Sequence, residues 1–366
     1  MDPVATPKVE GPERPTLLER AIRFIPLPYV ASCVLLALIL GSPGSILARY
    51  LDTGDINEAI SGSPYAPPGA SPIWLRLLVD STWMLLLVYV LLSVRYMRLR
   101  LAAAKPALLP LLPRGEENFN RIFGPVSHSG PPAALAVLIF APLSLSIVVT
   151  FSRTTGPFEF AFLAVSTGLT IFAYPTFLWV YFRSIRGAHV LGKEPLRLKP
   201  YHEDPMMGLR PLGLLSLSLA LAYFVGLGLL TVALSLEPSA SPPEAAILAV
   251  VLVLLGISLF FLPLYRVHGM MVRERQRTQA LARSQYTRLA HGRDNPGSDG
   301  SDTMMAEVRN ILADLRDAFR LDMEDRRIAA IPTWPFDTRI LGRLAVIVLS
   351  VLAILLARII TVRFGL

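Results

Sequence analysis

Asp80 is the residue whose position most invites chemistry. It stands inside an apolar run that begins at Ile73, with Arg76 four residues before it and Ser81 beside it. A carboxylate in hydrocarbon is costly, so such a residue either pairs or works. Two readings stay open. Arg76 shares a helix face with Asp80 at i−4 and can neutralise it as a structural pair, or Asp80 couples a proton or ion to transport. Its place in the run puts it about 10 Å inside the boundary, in the N-terminal part of a helix, where the dipole favours negative charge. Ser166, Thr167, Thr170 and Tyr174, with Pro175, would supply further lining in a transporter, although hydroxyls in membrane helices also serve as packing glue. Pro142, Pro175, Gly226, Gly228 and Gly256 would mark either broken helices or ordinary kinks and close packing.

Other reactive residues offer less. His202-Glu203-Asp204 has metal-ligand types, but adjacent residues do not all face one ion, and His128, His189, His268 and His291 show no HExxH or paired spacing. Glu203 and Asp204 are expected to pair with Arg197, Lys199 or Arg210. No Walker motif, GxSxG elbow or Cys/His nucleophile arrangement is present. We therefore expect no catalytic residue, no metal and no cofactor. Cys33, the single cysteine, cannot form an internal disulfide and reads as a small packing residue.

The elements that must carry these residues are apolar. Of 366 residues, 53% are hydrophobic and 17% charged, where a soluble domain carries about 25% charged residues. Mean hydropathy is +0.52. Seven runs of membrane length emerge, about residues 25–47, 73–92, 132–151, 158–182, 212–236, 244–265 and 340–360. Helices are the spanning form, because lipid cannot satisfy exposed backbone groups and no alternating barrel pattern occurs. The first run could imitate a signal peptide. Its long acidic leader (Glu10, Glu13, Glu19) and the lack of an A-x-A site favour an uncleaved helix.

Lys+Arg number 35 against Asp+Glu 27. The excess follows membrane orientation, so nucleic acid is not an expected partner. The tail before the first run holds 4 bases, the loop after the second 6, the loop after the fourth 6 and the segment before the last run 13. The opposite set holds only Arg49, Arg153 and Arg363. Positive residues stay inside. The expectation is a cell-membrane protein with a cytoplasmic N-terminus and an outside C-terminus. Arg358 and Arg363 mildly oppose it. Trp74 and Trp179 fall near predicted interfaces.

The domain plan is then a cytoplasmic tail (1–23), a six-helix membrane bundle (24–265), a cytoplasmic arm (266–338) and a seventh helix with a short outer end (339–366). The tail is expected to be flexible and to end in a short surface helix from Pro15 to Arg23. One or two interfacial helices are expected within 101–131. The arm reads as an antiparallel helical hairpin. Helix six continues to about Arg288, His291 to Asp302 break it, and a return helix follows. Met305, Val308, Leu312, Leu315 and Phe319 recur at spacings of 3, 4, 3 and 4, a coiled-coil seam. Arg266 to Arg293 carries a net +6 and Asp302 to Ile331 a net −2, so the halves can attract. Pro332 and Pro335 stop the return helix, and Trp334 is the predicted interface anchor.

Two stretches carry a resemblance: Pro332-Thr333-Trp334-Pro335-Phe336-Asp337-Thr338 before the last helix, and Pro200-Tyr201-His202-Glu203-Asp204 with Gly208-Leu209-Arg210-Pro211-Leu212-Gly213 before helix five. On these the chain resembles uncharacterised prokaryotic multi-pass inner-membrane proteins, a resemblance that implies no activity, substrate or site residue. The sequence thus predicts an all-α polytopic bundle in the lipid bilayer, non-enzymatic, acting as a scaffold or sensor. Its arm would mediate homo-oligomerisation or docking of a cytoplasmic protein. The rival reading is a secondary transporter or channel using Asp80.

Overall fold

The computed structural model describes residues 14–56, 59, 73–140, 142, 156–200, 203–204, 206–236, 242–291, 312–313, 315–316, 319–320, 322–323, 326 and 338–364. Among the described residues the chain is helical and has no strand. Among those residues five stretches are long and apolar enough to cross a membrane: Tyr29–Thr53, Leu78–Leu111, Pro157–Leu191, Arg210–Leu236 and Ala249–Leu281. These mark the chain as a membrane protein. Of the third predicted run, residues 132–140 and 142 are described and the remainder is not. In the last helix the described apolar stretch is the shorter Ala345–Ile354.

The chain opens with α1 (Leu17–Arg23), started by a capping box in which Thr16 and Glu19 satisfy each other's backbone N–H. The first predicted run is not one straight helix. It forms α2 (Tyr29–Leu40) and α3 (Ser42–Thr53), hinged at Gly41, whose φ of −96° and ψ of −155° are extended. The cause is local. Pro43 has no N–H to donate to Ile39, so the ladder stops, and Gly41 sits where a Cβ would collide with the Met84 side chain.

The second run is longer than its apolar core. It forms α4 (Ile73–Leu108), 36 residues passing through Pro106. At 1.5 Å per residue that is about 54 Å, against ~30 Å of hydrocarbon. Helix α7 (Pro157–Leu191) has 35 residues and likewise overruns. The overhang gathers at the end that carries Arg98, Lys105 and Arg186, here called the basic end. The predicted interfacial helix is α5 (Glu116–Phe123), whose Phe119, Ile122 and Phe123 are buried. It seats on α7 at Gly187, where a Cβ would stand 2.5 Å from the Phe123 ring. Helix α6 (Gly130–Leu135) runs on into a π-turn at Ala136–Phe140.

Helices α8 (Arg210–Leu236), α9 (Pro242–His291) and α10 (Thr338–Phe364) complete the bundle. Its centre is held by tyrosines. Tyr89 Oη of α4 donates to Ala222 O of α8 at 2.7 Å, and Tyr223 Oη of α8 donates to Leu252 O of α9 at 2.8 Å. Tyr223 also stacks on Tyr181 of α7 at 5.0 Å. Glycines make room for these rings: Gly226 faces Tyr89, and Gly256 faces Tyr223 and Phe224. Neither glycine breaks its helix, so both serve close packing. Val351 of α10 is buried against Gly228 of α8. Gly256→Leu should overpack this junction, at a cost of about 1–3 kcal/mol. Thermal unfolding of the purified protein in detergent should show a lowered Tm, with Gly269→Leu, at an open position, unchanged.

Candidate functional site

Asp80 lies on α4 and is half-buried. Arg76 is on the same helix, but its side chain is outside the described residues. The hydroxyls near Asp80 turn inward on their own helix: Ser81 Oγ and Thr82 Oγ1 both donate to Leu78 O at 2.8 Å. On α7, Ser166 Oγ donates to Leu163 O at 3.1 Å and Thr170 Oγ1 to Ser166 O at 2.8 Å. Helix α7 continues through Pro175. These hydroxyls satisfy their donors without a partner helix, which is how Ser and Thr are tolerated in apolar helices.

Of the predicted arm seam, Leu312, Leu315 and Phe319 are helical and 61%, 67% and 68% exposed. Met323, four residues on, is exposed too. Met305, Val308, Trp334 and the predicted breaker loop from Gly292 lie outside the described residues. Helix α9 does extend from the bundle as one 50-residue helix to His291.

The strongest polar arrangement is one the sequence reading did not single out. Glu19 and Arg98 are 1% and 3% exposed. Arg98 Nε donates to Glu19 Oε2 at 2.8 Å and Nη2 to Oε1 at 2.9 Å, a bidentate pair between α1 and α4. Glu19 Oε2 also accepts from Thr16 N at 2.9 Å and from Thr16 Oγ1 at 3.2 Å. Leu18 and Ile22 are buried on either side. The predicted surface helix is therefore seated in the core on one face. The sequence placed the short helix but not its partner, which is 79 residues away.

A second pair closes the opposite end. Arg49 Nε of α3 donates to Glu159 Oε1 of α7 at 2.6 Å. Asp52 accepts from the Phe158 and Glu159 backbone N–H groups at 3.1 and 2.8 Å, and so caps α7. Gly156 leaves space for that carboxylate.

Within the His202-Glu203-Asp204 stretch, Asp204 departs from expectation. Asp204 accepts from Met206 N and Gly208 N, both at 2.9 Å. It organises a turn rather than the expected ion pair, because two backbone donors two and four residues on lie within its short reach. Met207 (φ 53°) and Gly208 (φ 83°) take left-handed conformations there, and Met207 is buried. His202 is outside the described residues. Among the described residues no three His, Cys, Asp or Glu side chains come together. Lys105 Nζ donates to Glu116 Oε1 at 2.7 Å, a bond that holds the Glu116 carboxyl below its usual range.

Comparison with protein-family models, curated proteins and solved structures finds no match.

The Glu19–Arg98 pair makes a sharp expectation. Arg98→Met strands a buried carboxylate and should cost about 3–5 kcal/mol. Thr16→Ala removes the cap and the Oγ1 bond to Glu19 but leaves the carboxylate paired with Arg98 and bonded to the residue 16 N–H, so it should cost less, about 1–2 kcal/mol. Limited proteolysis should nick Arg98→Met near Arg20 and Arg23 far faster than Thr16→Ala, and thermal unfolding should rank them in the same order.

Proposed function

We propose that this chain is a non-enzymatic membrane scaffold or sensor whose arm self-associates or docks a partner through an apolar helical seam. The observation that carries this reading is the exposed row Leu312, Leu315, Phe319 and Met323. Its spacings of 3, 4 and 4 suit knobs-into-holes packing against another helix. The length of α9 supports it. Fifty residues make about 75 Å, some 45 Å beyond the hydrocarbon, so a rigid rod joins the arm to the bundle. The aromatic filling of the bundle centre agrees with a structural body.

In the full reading the chain spans the membrane seven times, with the N-terminus and arm cytoplasmic and the C-terminus outside. The arm folds as an antiparallel hairpin, its basic outgoing half against its acidic return half, and Trp334 anchors it at the inner interface. Surface ion pairs contribute only ~0–1 kcal/mol each, so apolar contact must dominate association.

Deleting residues 273–327 should abolish assembly or partner capture while the bundle still inserts. Crosslinking and light scattering on the purified protein check this, and an unchanged oligomeric state and interactome would overturn it. Leu312→Asp with Phe319→Asp should weaken self-association at least tenfold, since burying each such side chain is worth roughly 1.5–3 kcal/mol.

The transporter reading keeps one observation in its favour, the half-buried Asp80 inside a candidate span. On that reading Asp80→Asn removes a pH- or ion-dependent flux in proteoliposomes. On the scaffold reading wild type and variant show equal, background flux.

A further inference from the structure

The elbow between α1 and α2 presents an unusual surface. Phe24 is 89% exposed and Leu27 47%. Arg20 and Arg23, on the same short helix, are exposed beside them. The inward face of α1 is fixed by the Glu19–Arg98 pair, so this outward face is preset rather than free to fold under.

Three observations say what covers it. Phe24 and Leu27 continue an exposed apolar stripe that runs down α2 through Val30, Val34 and Leu38, the lipid-facing side of a candidate span. The elbow lies at the level where cations stack on aromatic rings. Arg95 lies over Tyr29 at 4.4 Å, Arg100 over Tyr96 at 5.2 Å and Arg183 over Trp179 at 5.2 Å. Aromatic rings with arginines beside them belong at the headgroup boundary. Finally, the charge is one-signed on the exposed side: Glu19, the only acid of α1, is consumed by Arg98. Arg20 Nε donates to Pro15 O at 3.2 Å, which holds the guanidinium stem while the side chain stays exposed.

We propose that this elbow is a binding surface for anionic phospholipid headgroups. Phe24 and Leu27 enter the boundary between headgroups and acyl chains, as the apolar side of an interfacial helix does. Arg20 and Arg23 hold lipid phosphates from above. The surface acts whether or not the arm self-associates, so the two proposals fail separately.

The test uses the full chain in detergent and in nanodiscs. Native mass spectrometry reads how many phosphatidylglycerol molecules stay bound after exchange from mixed phosphatidylcholine–phosphatidylglycerol nanodiscs. A Tm measurement reads the shift when phosphatidylglycerol is added. Wild type should retain phosphatidylglycerol over phosphatidylcholine and gain Tm. The double variant Arg20→Gln, Arg23→Gln should lose affinity roughly fivefold for each arginine removed, and with it the Tm gain. Phe24→Ser, which leaves all charges in place, should also lower retention. Arg273→Gln with Arg277→Gln, removing two exposed arginines of α9, should behave as wild type. Equal retention in Arg20→Gln, Arg23→Gln and wild type overturns the proposal. So does an equal loss in the α9 control, which would show bulk charge at work. If the double arginine variant fails to fold, Phe24→Ser alone decides: retention as in wild type overturns the surface.

Discussion

A single buried carboxylate ties together the start of this chain and the 36-residue helix α4. Glu19 closes the capping box that begins α1 and, with the same oxygens, takes a bidentate arginine from α4. Desolvating two charges is expensive, and such a pair holds only when further hydrogen bonds satisfy it. Thr16 supplies them. The consequence reaches beyond α1. With Leu18 and Ile22 buried beside the pair, the elbow and α2 have a fixed starting direction, and Tyr29 meets Arg95 one turn from Arg98.

The basic end is a product of length. Helices α4 and α7 overrun the hydrocarbon by about 20 Å each, and bare overhangs would leave apolar faces in water. The chain covers them with its own short elements. Helix α5 lays Phe123 on α7 at Gly187, with Phe119 buried beside that ring, and Trp179 Nε1 donates to Pro125 O at 3.1 Å. The Asp204 turn docks Met207 and Leu209 into the core, and Arg197 N donates to Leu111 O at 2.8 Å. The described connections at the end that carries Arg98, Lys105 and Arg186 thus form a folded shelf.

Within the bundle, specificity rests on tyrosine. A Tyr hydroxyl buried in apolar surroundings is stabilised by an acceptor, and helix carbonyls with a spare lone pair serve two of these tyrosines, while Tyr181 Oη is buried without one. Tyr89 and Tyr223 each reach one on a neighbouring helix, next to a glycine that admits the ring. These contacts set which faces of α4, α8 and α9 meet. A body so joined suits a base for a rigid extension, and α9 leaves it without a break.

The sequence by itself determined the class. Apolar runs of membrane length and the need to satisfy backbone groups in lipid leave helices as the only form, whereas the break at Gly41–Pro43 and the Thr16–Glu19 cap emerged only in the structure. The continuation of the sixth run to about Arg288 was legible, because no proline or glycine interrupts it after Gly269; the structure carries α9 on to His291, the residue expected to open the breaker loop. What only the tertiary structure decided were the long-range pairings. Glu19 and Arg98 are separated by 79 residues and Arg49 and Glu159 by 110. Charge counts assign such residues to an end of the bundle but not to a partner. The same holds for Asp204, whose choice of backbone over arginine depends on a turn geometry that composition does not encode. Periodicity tells a helix which of its faces is apolar; which neighbour that face meets is settled only when all the helices compete for the same contacts.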